Sequence, residues 1–272
     1  MNRRRWDERL KRPARALTLA LVSCVAFAHP GARAAEPGGL KEQAVARLAA
    51  THDPAIFIAV GRVYVKQAGL LEAHRLLAER GRAAELGADW SPRAVAWMDA
   101  QAQLTALIDD TIARRIEDPA WFRTAWGALA ATALSAEEAD EIATHFSSEG
   151  GAQQRSVLEL LLVGETLLAR YTFTERIRYD VAGAEHEMRQ LQDTWWVNDH
   201  RRVYDFTRYP NAIRFASQDP GVKYSKMLAI QGIDAINRHF DAVADEVRAQ
   251  VRSESARVDA AVARHRSAQS TR

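Results

Sequence analysis

The side chains best suited to chemistry lie together in one short aromatic and basic segment. Its members are Trp195, Trp196, His200, Arg201, Arg202 and Arg208. Indole faces beside guanidinium groups suit stacking on sugar or peptide rings and charge-assisted contact with carboxylates or phosphates. The segment therefore predicts a binding surface for a glycan or an anionic peptide. A competing interpretation makes the tryptophans core anchors, with the arginines lying over them.

A catalytic use of this segment is the second hypothesis. Asp199 and His200 could act as a general base only within a turn, because adjacent residues of a helix point about 100° apart. Together with Arg201 and Glu185, they would form the site of a hydrolase or lyase acting on a glycan or peptide of the cell envelope.

Other catalytic and metal-binding motifs are absent from the sequence. There is no Gly-rich dinucleotide or phosphate loop, no Gly-x-Ser-x-Gly and no Ser-x-x-Lys. A zinc-protease helix at His186-Glu187 would need a second histidine at position 190, where the chain has Gln190. We therefore assign no catalytic residue, no metal site and no cofactor.

Residues 1–34 have the pattern of an export signal. A run of arginines and lysines precedes the apolar stretch 16–28, and Pro30-Gly31 breaks the helix ahead of Ala32-Arg33-Ala34. We expect cleavage after Ala34 and release into the periplasm or outside the cell. Two alternatives stay open: lipidation of Cys24 after Leu21-Val22-Ser23, and an uncleaved anchor, for which the apolar stretch is short.

Removal of this leader changes the chemistry of the remaining chain. The mature 238 residues would contain no cysteine, and the formal net charge would change from +2 to −4. Disulfides are then impossible, and the basic excess that nucleic-acid binding requires is lost. The predicted partners are an envelope protein, glycan or peptide, with no nucleic acid and no transmembrane span in the mature chain.

The rest of the chain has a helical period and predicts an all-α multi-helix bundle. Asp53-Pro54, Ser91-Pro92 and Asp118-Pro119 are typical helix starts. In the second helix, Gly61 and Gly69 are expected weak points, with a turn before Leu70. The third helix carries a core-facing stripe that includes Met98, Leu104, Ile108 and Ile112, and the apolar run 157–168 is expected to be central, with Leu160, Leu161 and Leu167 in the core.

The C-terminal part predicts one long helix over 221–265. Its narrow apolar seam ends near Val251, so the end of that helix should project or fray, and 266–272 should form a flexible tail.

Ser135 and Glu138 have the spacing of a capping box, and Ser147 to Gly151 predicts a turn whose glycines adopt positive φ. The stretch 134–151 resembles the signature of a family of exported bacterial proteins built on a helical domain of unknown function. Ser135, Glu138, Ile142, Phe146, Ser148 and Gly151 match its pattern; His145, Glu149 and Gln153 replace an aromatic residue, a proline and a lysine. The resemblance implies an exported helical fold and no particular reaction.

A weaker copy of this pattern follows seventy residues later, at Phe215 to Tyr224. The copy is either a duplicated helix-turn-helix unit, with halves at about 35–172 and 173–265, or a coincidence of helix-end composition. We expect a helical domain over 35–265 that acts as a non-catalytic binding, scaffolding or chaperone-like module, with the hydrolase or lyase as the alternative.

Overall fold

The structure, a computed structural model, describes residues 38–86, 95–159, 162 and 209–271. Every regular element in these ranges is helical, which confirms the all-α multi-helix bundle. The helices are α1 Gly38–Thr51, α2 Ala55–Ala83, α3 Val95–Ile112, α4 Ala120–Ala133, α5 Ala136–Phe146, α6 149–159, α7 Pro210–Ala216, α8 Asp219–Met227, α9 Ile233–Ser253 and α10 Ser255–Ser270. A π turn at Ala113–Glu117 extends α3, and another at Leu228–Gly232 joins α8 to α9.

The helix starts predicted at Asp53 and Asp118 are present, whereas Ser91-Pro92 lies outside the described residues. Asp53 Oδ1 accepts a hydrogen bond from the Ala55 amide at 3.0 Å, and Asp118 Oδ1 accepts one from the Ala120 amide at 2.9 Å. Each helix therefore begins one residue after the proline. The predicted capping box is present as well: Ser135 Oγ accepts from the Glu138 amide at 3.2 Å, while Glu138 Oε2 accepts from the Ser135 amide at 2.7 Å.

The expected turn before Leu70 does not exist, because α2 is one continuous helix. Its two glycines are points of close helix packing. A Cβ at Gly61 would lie 2.5 Å from the Phe240 ring, and one at Gly69 would lie 2.6 Å from Val247 Cγ1. Both contacts come from α9, so the glycines let the two longest described helices approach each other.

The prediction that the apolar stripe on α3 faces the core is correct at the C-terminal end of the helix and wrong at Met98. Leu104, Ile108 and Ile112 are buried, whereas Met98 is 56% exposed. The prediction failed at Met98 because a helical period gives the direction of a side chain and not how far along the helix its neighbours extend.

The C-terminal region differs from its prediction in two ways. The single long helix is interrupted by the π turn at Leu228–Gly232 and again at Glu254. The frayed or projecting end beyond Val251 is also wrong, since α10 continues to Ser270 and buries Val258, Ala261 and Val262 against α2 and α3. The few apolar residues of α10 are sufficient to hold it because α2 and α3, which are distant in sequence, cover them. The flexible tail at 266–272 stays a prediction.

The turn after α5 needs its glycines for space and not for positive φ. Neither Gly150 nor Gly151 has positive φ, and both lie in the first turn of α6. A Cβ at Gly151 would lie 1.8 Å from the His145 carbonyl oxygen. The chain can therefore reverse this tightly only without a side chain at position 151.

The predicted copy of this turn has the same construction. A Cβ at Gly221 would lie 2.1 Å from the Phe215 carbonyl oxygen, six residues earlier as in the first turn. The Gln218 amide donates to that oxygen at 3.0 Å, as the Ser148 amide donates to His145 at 3.0 Å. The two turns are thus alike in geometry, and a relation between the two halves over their full lengths stays a prediction.

By length and hydropathy, none of the described helices taken singly could cross a membrane. A pair that is bent by 71°, Gly39–Thr51 with Ala55–Ala83, meets those criteria when taken together. Because the sequence has one cysteine, the chain cannot form an internal disulfide.

Candidate functional site

The residues predicted to bind a glycan or peptide lie outside the described residues. They are Trp195, Trp196, His200, Arg201, Arg202 and Arg208, and the same holds for Asp199, Glu185 and His186 of the catalytic and zinc hypotheses. Leu160, Leu161 and Leu167 of the expected central helix also lie outside these ranges. These assignments stay predictions.

The residues of the family-like motif form one continuous structural unit. Ser135 and Glu138 cap α5, and Phe146 at its end is 1% exposed. Ser148 Oγ donates to the His145 carbonyl at 2.6 Å and accepts from the Gly151 amide at 3.2 Å. The motif thus specifies a capped helix followed by a tight turn, which is a structural role.

Two of the three departures from the motif, His145 and Glu149, have specific contacts. His145 keeps the role of an aromatic ring by stacking on Phe215, with 3.9 Å between the ring centroids. Its Nε2 also lies 2.7 Å from Gln154 Oε1. Glu149, at the position of the proline, accepts a hydrogen bond from the Tyr209 hydroxyl at 3.2 Å.

A buried polar cluster lies where α1, α4, α6 and α8 meet. His52 follows α1, and its Nδ1 lies 2.8 Å from Glu159 Oε1 on α6. Its Nε2 forms a short hydrogen bond with the Tyr224 hydroxyl on α8. Trp126 Nε1 on α4 donates to that hydroxyl at 3.2 Å. His52, Glu159, Tyr224 and Trp126 are all buried, so their hydrogen bonds together connect the four helices.

The hydrogen-bond partners define the protonation state of this cluster. The indole nitrogen of Trp126 can only donate, so Tyr224 accepts from it and gives its own proton to His52 Nε2. His52 then carries its proton on Nδ1 and donates it to the Glu159 carboxylate. Neutral His52 is therefore the state in which every polar group of the cluster has a partner.

Electrostatics favour the same state. Burial lowers the pKa of His52, and this effect outweighs the opposing hydrogen bond and charge of Glu159. Burial likewise raises the pKa of Tyr224. Arg155 balances the carboxylate: its Nε lies 3.5 Å from Glu159 Oε1, and its guanidinium also donates to the Thr51 carbonyl.

The rings around His52 close the cluster from solvent. The imidazole stacks near Tyr224 and meets Phe122, Trp126 and Phe146 edge-on, with centroid distances between 5.5 and 6.3 Å. Tyr224 is 1% exposed and His52 is 6% exposed. A histidine, a carboxylate and a phenol in sequence could transfer protons, but this burial keeps a substrate away from them, so the arrangement fixes the packing of four helices.

The sequence analysis missed this cluster because its members are far apart in the chain. His52 and Glu159 are 107 residues apart, and His52 and Tyr224 are 172 apart. In the sequence, His52 is only the residue before Asp53-Pro54, the start of α2. The one available signal was Glu159, a lone acid within the apolar run 157–162, since a buried charge needs a partner.

A groove of about 1090 Å³ lies between α1 and α4, and we call it the alanine groove. Its walls are stripes at helical spacing, mostly of small residues, which comprise Glu42, Val45, Ala46, Ala49 and Ala50 on α1 and Arg123, Thr124, Gly127, Ala128, Ala131 and Ala133 on α4. Leu134 and Ser135 close one end. At about 1.5 Å per residue, these stripes are on the order of 12 to 16 Å long.

The rim of the alanine groove is mainly cationic. Lys41, Arg123 and Lys223 line it, against one acid, Glu42. Lys223 pairs with Glu138 at 2.7 Å. Within the described ranges Lys41 and Arg123 form no ion pair, so these two cations are available to a ligand.

The described residues include no group of three or more histidine, cysteine, aspartate or glutamate side chains that could hold a metal ion. Comparison with known proteins found no matching family model, no matching curated protein and no matching solved structure.

Proposed function

We propose that this chain is an exported helical protein with a binding or scaffolding role and no catalytic activity, and that the alanine groove is its binding surface. Export is supported by the pattern of residues 1–34, and it places the protein in the periplasm or outside the cell. The resemblance of the segment 134–151 to exported helical proteins agrees with this proposal.

The observation that carries the proposal is the uncovered stripe of small residues on α4. At Gly61 and Gly69 the space beside the glycine is filled by large side chains of other helices. At Gly127 the only atom of the described chain within 4 Å of an added Cβ would be Val45 Cγ1, at 3.8 Å. Small residues that allow close approach, but face an open groove, suit an incoming partner.

The position of the titratable cluster supports a role without catalysis. His52, Glu159 and Tyr224 have the residue types of a proton relay, yet all are buried behind aromatic rings. A relay closed from solvent serves stability better than turnover.

A single-cysteine labelling experiment tests the proposal. In a Cys24→Ser chain, Ala128→Cys places an environment-sensitive dye in the groove, and Thr132→Cys places it on an exposed site of α4 outside the groove. The panel of probes is amphipathic peptides, peptidoglycan fragments and phospholipid vesicles. We expect at least one to change the emission at position 128 and not at 132.

Two results would overturn the proposal. The first is that no probe changes the dye emission at position 128 without changing it equally at position 132. A groove already filled by residues 163–208 of the chain would give this result and would also overturn the proposal. The second is turnover of a peptidoglycan fragment or envelope peptide that His200→Ala abolishes while helicity and melting stay unchanged, because that result favours the hydrolase or lyase.

A further inference from the structure

We infer that the occupant of the alanine groove is an acidic amphipathic helix of a partner protein. This inference rests on the proposed function and adds the class of the partner. Three properties of the groove carry it: the shape of its walls, the residue types that line it and the charge of its rim.

The walls have the shape that a third helix fits. Thr124, Gly127, Ala128 and Ala131 follow the three- and four-residue spacing of one helix face, and the facing stripe on α1 has the same spacing. Ridges of a partner helix pack into grooves with this repeat. The length of the stripes corresponds to about two to three turns of such a helix.

The lining favours a peptide over a sugar. Among the described residues, the lining contains no aromatic side chain on which a sugar ring could stack. Its apolar surface comes from alanine, valine, leucine and glycine, which are suited to leucine or alanine side chains of an amphipathic helix.

The charge of the rim selects the sign of the partner. Lys41 and Arg123 have no acidic partner within the described ranges, and Lys223 adds a third cation whose charge Glu138 partly offsets; Glu42 is the one acid of the lining, so cations remain in excess. A helix with carboxylates flanking its apolar face would pair with these cations, whereas a basic helix would be repelled.

Two fluorescein-labelled peptides test the sign of the charge. Both are 14-residue helices with the same leucine and alanine face, and their polar faces carry glutamate in one and lysine in the other. By fluorescence anisotropy at low salt, we expect the glutamate peptide to bind the full chain about ten-fold more tightly, with the difference decreasing as salt is added.

Variants of the chain locate the binding. Gly127→Leu should abolish binding of the glutamate peptide, because the added side chain enters the groove and meets only Val45 near its Cβ. Lys41→Glu with Arg123→Glu should reverse the preference toward the lysine peptide. The matched controls are Thr132→Leu and Lys226→Glu, two exposed sites outside the lining, and they should bind like the unchanged chain.

The outcomes separate this inference from the proposed function. Equal binding of both peptides, blocked by Gly127→Leu, overturns the acidic partner and leaves the groove as a binding surface. A response at the labelled position 128 to phosphatidylglycerol vesicles or peptidoglycan fragments, with no peptide binding, does the same. Peptide binding that survives Gly127→Leu in a folded protein overturns the assignment to the groove.

Discussion

His145 and Phe215 stack on each other, with 3.9 Å between their ring centroids and 13° between their planes. They occupy equivalent positions in two turns of the same construction, each six residues before a glycine that has no room for a side chain. Contact between equivalent positions is what a local two-fold arrangement produces. The stack therefore brings the two turns into direct contact through these equivalent residues.

The glycines of these turns lead to the first prediction. Gly151→Ala and Gly221→Ala should each destabilise the protein, because the new Cβ would meet a backbone carbonyl oxygen at 1.8 and 2.1 Å. We expect a loss on the order of 1 to 3 kcal/mol, measured by urea unfolding. Gly39→Ala is the control, since nothing lies within 4 Å of a Cβ there, and it should cause no loss. Equal stability of all three variants would contradict the packing.

His52 should make stability depend on pH in one direction. Burial lowers its pKa in the folded protein, whereas the unfolded chain has the ordinary value near 6.5. Below about pH 6.5 the unfolded state binds a proton that the folded state does not. The free energy of unfolding should therefore fall as pH falls from about 6.5 toward the lowered pKa, with a slope of up to about 1.4 kcal/mol per pH unit.

The measurement is urea unfolding between pH 5 and 8 for the unchanged chain and His52→Gln, which should have a flatter profile. Burial also lowers the pKa of His74 and His239, so both add a slope of the same sign. His239→Gln is the control, and its profile should keep the slope that the protonation of His52 causes. A His52→Gln profile as steep as that of the unchanged chain would refute the assignment.

Tyr224→Phe should test the hydrogen bonds of the buried cluster. Loss of the hydroxyl leaves the Trp126 indole N–H without an acceptor and His52 Nε2 without a donor. Each unpaired buried group costs about 1 to 3 kcal/mol, so the midpoint temperature of thermal unfolding should fall markedly. Tyr64→Phe is the matched control, because its hydroxyl bonds Asp241 at 2.7 Å in a half-buried site, and its effect should be smaller. A smaller shift for Tyr224→Phe than for Tyr64→Phe would contradict a stabilising role of these buried hydrogen bonds.

The capping box gives the fourth prediction. Ser135→Ala removes the acceptor for the Glu138 amide at the start of α5 and should cost about 1 kcal/mol in chemical unfolding. Ser267→Ala is a suitable comparison, since that exposed hydroxyl bonds only the Ala263 carbonyl within its own helix. If both variants lose the same small free energy of unfolding, the cap does not stabilise α5.

The features that the sequence predicted correctly are local ones. Asp53, Asp118 and the pair Ser135 and Glu138 act within three residues of themselves, so their hydrogen bonds follow from spacing alone. The helical period also identified the fold class.

The features that the sequence did not predict depend on contacts between distant residues. Gly61 looks like a helix breaker until Phe240 is known to lie against it. Val258 lies beyond the predicted end of the seam at Val251, and its burial is explained only by the packing of α10 on α3. The His52 cluster was missed for the same reason, since its members come from four helices, and the alanine groove exists only where two helices face each other.

The packing of α2 against α9 has a consequence for the order in which the chain can fold. Glu72 Oε1 on α2 and Arg252 Nε on α9 are 2.7 Å apart although 180 residues separate them in sequence. A growing chain therefore carries α2, with its apolar face and its two packing glycines, long before α9 has been synthesised. Completion of this core has to wait until nearly the whole chain is available, and such long-range contacts slow folding. During that interval the apolar face of α2 is uncovered on the side that α9 later occupies, which exposes it to aggregation.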